Sequence, residues 1–394
     1  MPIQISSRSA LILIVIAQFL GTSLWFAGNV AAQDFEALLG TSGMISWITS
    51  AVQLGFITGT FLYAFGSIAD RYSPSAVFFY SAVLAATFNI LLIILPVGFV
   101  SVLGFRFLVG FFLAGIYPVG MKIASDYYEK GLGSALGFLV GALVFGTSFP
   151  FLIKALGAEY SWKIILLVTS GLAIIGGSLV GFFVPNGPFR KANSVFDLGL
   201  LPKLAKIKSL QGAALGYFGH MWELYTFWAL LPFLLMDLRN ETSIGAENSF
   251  WTFAIIAIGG VSCVVGGLIS GKLGSEKVAL YSLAGSGICG VLLIIFPEIP
   301  NSMILPFLLI WGVLVTADSP QFSTLVAQSV KAEYRGTALT MVNSIGFGLT
   351  IISIQFNQFM SNHFLPREFL GWLAIGPILG LLGYRYFRGF SPSK

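Results

Sequence analysis

Charge is what this sequence has least of. Only 9% of its 394 residues are Asp, Glu, Lys or Arg, against about 25% in a soluble domain. A chain so poor in charge cannot coat a surface that faces water, which excludes the ordinary soluble enzyme or binding module. Histidine and cysteine each occur twice, too few for a metal cluster, a nucleophilic constellation or a disulfide framework. Cys263 and Cys289 both lie inside apolar stretches, where a thiol packs as a small hydrophobe. No glycine loop of the ATP-binding kind is present, so any work the protein does must draw on an ion or solute gradient. No basic run is dense enough to follow a phosphate backbone, so the net charge of +5 does not point to nucleic acid. No cofactor and no metal are expected.

What the sequence does have is apolar length. Hydrophobic residues make up 56% of the chain and the mean hydropathy is +0.89. A hydrocarbon core of about 30 Å takes about 20 residues of helix to cross. Runs of that length fall at 10–32, 44–65, 76–96, 99–121, 132–154, 163–185, 210–236, 248–270, 278–297, 302–326, 337–360 and 367–388. They predict an all-α membrane protein with twelve transmembrane helices, spans 1 to 12. The first run is of full span length and has no small-residue cleavage site after a short core, which predicts an uncleaved span rather than a signal peptide. The longest polar stretch, 186–209, divides a six-span half at 1–185 from another at 210–394. Within it, 195–207 alternates apolar and basic residues as an interfacial helix would.

An even number of spans puts both termini on one side, and basic residues mark the cytoplasmic loops. Sixteen Lys and Arg fall on the side of the termini, four on the other, and Arg106 alone lies within a span. Both termini are therefore expected in the cytoplasm, and the basic balance is a topology signal. The partners implied are membrane lipids, a small-molecule solute and a coupling ion such as the proton, with the chain working as a monomer.

Shifting the sequence by 203 residues sets GLGSALG at 131–137 on YRGTALT at 334–340, so that Gly133 meets Gly336 and Ala135 meets Ala338. Both copies open the fifth span of their half, as two related halves require. The loop GSIADRYSP at 66–74 resembles the signature loop of the major facilitator superfamily, a glycine followed four residues on by an Asp-Arg pair. Arg106 with Gly110 resembles a second motif of the same family in span 4. The resemblance covers the whole chain and implies two pseudo-symmetric six-helix bundles, a bacterial inner-membrane location and transport by alternating access. It also implies gating roles for Gly66, Asp70 and Arg71, with Arg71 pairing with a carboxylate on a facing helix end. GYFGHMWELYTFW at 216–228 and ADSPQFS at 317–323 resemble segments of members loosely labelled cyanate- or nitrate-type permeases. The arginines that nitrate porters carry on spans 2 and 8 are absent here.

An ionisable side chain inside a span is costly and so marks function by default. Glu223 and His220 lie one turn apart on span 7, where they could load and release a proton, or hydrogen-bond each other as packing glue. Asp318 on span 10 stands beside Pro320, which removes a helical hydrogen bond and frees a carbonyl. These three are the expected proton-coupling residues. Arg106 keeps its charge and requires an anionic partner, which admits an anionic solute or a resting pair with Asp318 or Glu223; a structural role in holding span 4 is the alternative. Polar and aromatic side chains that would complete a substrate site are Gln18, Trp25, Asn29, Tyr117, Trp222, Tyr225, Gln321 and Asn343. In the resembled family spans 1, 4, 7 and 10 line the cavity. The reading is a secondary active transporter; the alternatives are a drug, siderophore or metal-chelate pump of the same fold, and a receptor or scaffold that binds without transporting.

Overall fold

The computed structural model describes residues 5–128, 132–157, 161–190, 198–241 and 243–388. Every regular element among them is helical, as hydrocarbon demands of a backbone that finds no water to bond. Among the described residues eleven helices are long and apolar enough to cross a membrane: Ser7–Leu39, Met44–Phe65, Pro74–Ile94, Phe99–Tyr127, Ala135–Leu156, Trp162–Phe183, Lys208–Leu238, Ala246–Leu273, Ser275–Ile295, Asn301–Gln328 and Arg335–Met360. They are spans 1 to 11. The twelfth expected run is helical too, but in three pieces, Pro366–Phe369, a 3-10 stretch at Leu370–Ala374, and Ile375–Arg388. The break has a packing cause. Gly371 lies backbone to backbone on Gly290 of span 9, and a Cβ on either would come within 2.9 Å of the other's carbonyl oxygen. Pro377 then withholds an amide from the turn that follows.

Helix ends carry local signals. The Ser6 hydroxyl caps span 1 by accepting from the Ser9 amide at 3.0 Å, and Pro74 opens span 3 in the first helical position, where a missing N–H costs nothing. Three spans besides the last are interrupted. Span 1 passes from helix Ser7–Thr22 through a turn into Ala27–Val30 and Ala32–Leu39; span 4 breaks between Phe99–Leu113 and Tyr117–Tyr127; span 10 breaks at Asp318, between Asn301–Ala317 and Ser319–Gln328.

The chain forms two compact units, one of Met1–Val195 with Gly245–Phe253, the other of Phe196–Ile244 with Ala254–Lys394. Of the stretch expected as an interfacial helix, residues 195–197 lie outside the described ones, and the rest is a 3-10 turn at Leu198–Leu200 and one helical turn at Leu201–Leu204. Gly131 of the internal repeat is also outside the described residues. Within the first unit, spans 2 and 4 cross at glycines. A Cβ on Gly110 would run into the Val52 carbonyl, and one on Gly55 into that of Phe107, so small residues set the helix separation, as in many membrane bundles.

Candidate functional site

In the first unit the broken first span is tied down by one guanidinium. The turn after Thr22 leaves the carbonyls of Leu24 and Trp25 without helical partners, and Arg106 Nη2 donates to them at 2.9 and 2.7 Å. Its Nη1 donates to Asn89 Oδ1 at 2.9 Å. The Asn89 amide in turn donates to Leu166 O at 3.0 Å and reaches the hydroxyls of Thr169 and Ser170 at 3.3 and 3.0 Å. Spans 1, 3, 4 and 6 thus meet in one polar knot, with Arg106 and Asn89 fully buried. The resting ion pair expected as one partner of Arg106 has no bond behind it among the described residues, where all three bonds run to neutral acceptors of the first unit. Freed carbonyl dipoles supply the negative potential instead. Nε is without a hydrogen-bond partner among the described residues and faces Gly28, where a Cβ would come within 2.7 Å of it.

Around this break the Trp25 ring lies against Phe56 of span 2, 4.8 Å between centroids, and Asn29 Nδ2 donates to Thr49 Oγ1 at 2.7 Å. Gln53 sits one turn from each of Thr49 and Phe56 on the same face of span 2. Its amide is fully buried with neither atom hydrogen-bonded among the described residues, as is that of Gln18. Tyr117 opens the second half of span 4 and is half-buried.

In the second unit the expected trio divides in two. His220 and Glu223 do not bond each other; instead His220 Nδ1 approaches Asp318 Oδ1 at 2.8 Å. That contact is a close polar approach rather than a well-directed hydrogen bond, and His220 Nε2 and Asp318 Oδ2 have no hydrogen-bond partner among the described residues. Both residues are fully buried. Asp318 occupies the break in span 10 because Pro320 cannot supply the amide that would reach back to Thr316. The Cys263 thiol of span 8 donates to that freed carbonyl, Sγ to O 3.4 Å, so this cysteine does more than pack. Glu223, also fully buried, accepts from Trp311 Nε1 at 2.7 Å through Oε1 and from Ser286 Oγ at 2.7 Å through Oε2. One turn of span 7 thus presents two carboxyl environments.

The remaining candidates of this unit lie apart from those bonds. Tyr225 is buried against Trp228 and Phe347, at centroid distances of 5.2 and 5.4 Å. Trp222 Nε1 has no hydrogen-bond partner among the described residues, while its carbonyl accepts from Ser353 Oγ of span 11 at 2.6 Å. Gln321 is buried and Asn343 half-buried.

At the 66–74 loop the charges pair differently from expectation. Arg71 is exposed and makes no ion pair among the described residues. Lys122 at the end of span 4 bridges Asp70 at 3.1 Å and Asp126 at 3.3 Å. Arg190 clasps the loop backbone, donating to the carbonyls of Asp70 and Tyr72 at 2.9 and 2.8 Å. The turn's positive φ, 49°, falls on Ser67 rather than Gly66, whose φ is −73°.

Asn89, Gln53, Ser286 and Trp311 escaped the sequence reading. Their one signal was a lone polar or amphipathic side chain in an apolar run, which many spans carry.

Apolar helices of membrane-spanning length, broken spans and buried titratable side chains are the features that a membrane transporter's pathway requires. Residues 10–354 match the family model of the Major Facilitator Superfamily, and the chain belongs to that family. No curated protein matches as a relative. Among solved structures, the chain is similar to a bacterial homologue of the human lysosomal transporter Spinster in two inward-facing forms. The unoccupied form has a TM-score of 0.69 at 15% identity, covering 98% of each chain. The occupied form has a TM-score of 0.69 at 14% identity, covering 98% of this chain and 99% of that one. At such identity the likeness speaks to the fold. The protein is a multi-pass membrane transporter and not an enzyme.

Proposed function

We propose that this protein is a secondary active transporter that moves a small solute across the inner membrane by alternating access, working as a monomer and coupled to protons. The observation that carries the coupling is the His220–Asp318 contact, 2.8 Å long, between two fully buried titratable groups at a helix break. Each keeps one unpartnered polar atom, Nε2 on the imidazole and Oδ2 on the carboxyl. A pair left half-satisfied in a low-dielectric interior is held at a cost, and such costs persist where function needs them. Glu223 is the second proton-binding group of this reading. Arg106 serves as a strut for the break in span 1, because its bonds run to carbonyls and an amide of its own unit. The solute site draws on the unpartnered amides of Gln18 and Gln53, so polar hydrogen-bonding solutes are favoured over those bound by charge alone.

The test uses purified protein in vesicles with a pH-sensitive dye trapped inside. A panel of amino acids, organic anions, siderophores and metal ions is added outside in turn. A transported solute moves protons with it in the wild type, and Asp318→Asn and Glu223→Gln abolish that proton signal. Solute flux that proceeds with no proton movement in the wild type removes the coupling from this reading.

A further inference from the structure

Glu223 is surrounded by donors of two different kinds. An indole N–H can only donate, so the Oε1 that faces Trp311 Nε1 at 2.7 Å is an acceptor whatever the charge on the carboxyl. A proton arriving at Glu223 therefore has Oε2 as its seat. Oε2 lies 2.7 Å from Ser286 Oγ, and that same hydroxyl lies 3.1 Å from the carbonyl of Leu283 one turn back on span 9. A hydroxyl has one hydrogen to give and two lone pairs to offer. With Glu223 ionised, Ser286 donates to Oε2. With Glu223 protonated, Oε2–H donates to Ser286 Oγ, and the serine hydrogen turns to Leu283 O. Both states are fully bonded with every heavy atom where it stands.

We infer that Ser286 is a two-way hydrogen-bond adaptor, a positioning residue that lets Glu223 gain and lose a proton on Oε2 without repacking spans 7, 9 and 10. Trp311 fixes which oxygen is involved. The inference rests on the reading of Glu223 as a proton-binding group. Buried polar atoms left unbonded are expensive, so a carboxyl with a one-way donor on each oxygen would be satisfied in only one of its charge states. Ser286 removes that bias by rotating one hydrogen. The other titratable groups around Glu223 are His220 on its own helix, Asp318 on span 10 and Cys289 on span 9. None of the three hydrogen-bonds to it among the described residues, so the adaptor acts on Glu223 directly.

The test is an infrared difference spectrum of the purified protein between acid and alkaline pH, which needs no knowledge of the solute. A protonated-carboxyl band that vanishes in Glu223→Gln belongs to this residue. In Ser286→Ala that band moves to higher wavenumber through loss of its hydrogen-bond partner, and Ser286→Thr, which keeps the hydroxyl, returns it to the wild-type position. The pH midpoint of the band shifts in the alanine variant and not in the threonine variant. If Ser286→Ala does not fold, Ser286→Cys, with a weak S–H in the same place, gives a smaller displacement in the same sense. A Glu223 band unmoved by the alanine or cysteine change overturns the adaptor. Absence of any band sensitive to Glu223→Gln overturns instead the proton-binding role beneath it.

Discussion

A buried guanidinium can be a ligand or a strut, and the two roles part under a conservative change. The Arg106 fork spans two carbonyls of span 1 and an amide of span 3. A lysine keeps the charge but is a point donor that cannot hold three divergent acceptors. Arg106→Lys is therefore expected to lose about 1–3 kcal/mol of stability, close to the loss in Arg106→Gln, and a thermal-unfolding assay in detergent measures both. A lysine variant as stable as the wild type, with only solute affinity reduced, would return Arg106 to the role of anion ligand. At this scale the sequence was readable only in part. Arg106, His220, Glu223 and Asp318 stood out because a charge in an apolar run is rare, but their partners are tertiary facts. The apparent neighbours His220 and Glu223 are separated because each finds a better partner on another span. Asn89 and Ser286 carry as much of the wiring as the charged residues do, yet a lone amide or hydroxyl in a span has many other uses.

At the level of the element, Pro320 was legible as a helix breaker, and its consequence was not. The Thr316 carbonyl, deprived of the amide one turn on, accepts from the Asp318 amide and from the Cys263 thiol instead, and the resulting join sets Asp318 against His220. Pro320→Ala restores an amide to Thr316 and lets span 10 run on. Because Pro320 stands in the first turn of Ser319–Gln328, where a proline is tolerated, the unfolding temperature of the variant is expected to change little. Its proton-coupled flux is expected to fall ~10-fold or more, since small displacements of a reacting pair are that costly. Flux at the wild-type level would show that the break does not position Asp318. The twelve expected spans and the eleven helices long and apolar enough to cross a membrane among the described residues differ for a similar reason. Hydropathy counts apolar residues, whereas the last run is divided by a glycine contact with span 9 that no window average registers.

For the whole molecule, the distribution of Lys and Arg predicts which loops face the cytoplasm. The two native thiols are 0% and 5% exposed, so an introduced cysteine is read against a quiet background. Tyr72, 64% exposed in the signature loop, becomes a label site in Tyr72→Cys, and Asn362, exposed after span 11, in Asn362→Cys. In intact cells an impermeant maleimide is expected to label Asn362→Cys and to leave Tyr72→Cys untouched until the membrane is opened. The reverse pattern would invert the topology.

The polar knot of the first unit also bears on how the chain is made. Spans enter the membrane in the order of synthesis, and a lone arginine at mid-helix costs about 2.5–3.5 kcal/mol at insertion. When span 4 emerges, the Leu24 and Trp25 carbonyls and the Asn89 amide already exist on spans 1 and 3, so Arg106 inserts towards waiting acceptors. Glu223 has no such welcome. Its donors, Ser286 and Trp311, lie on spans 9 and 10, and the imidazole of His220 likewise precedes its carboxyl. During synthesis span 7 must therefore dwell with its titratable groups unpartnered, which makes the interval between spans 7 and 10 the stage at which the nascent chain is most exposed to quality control.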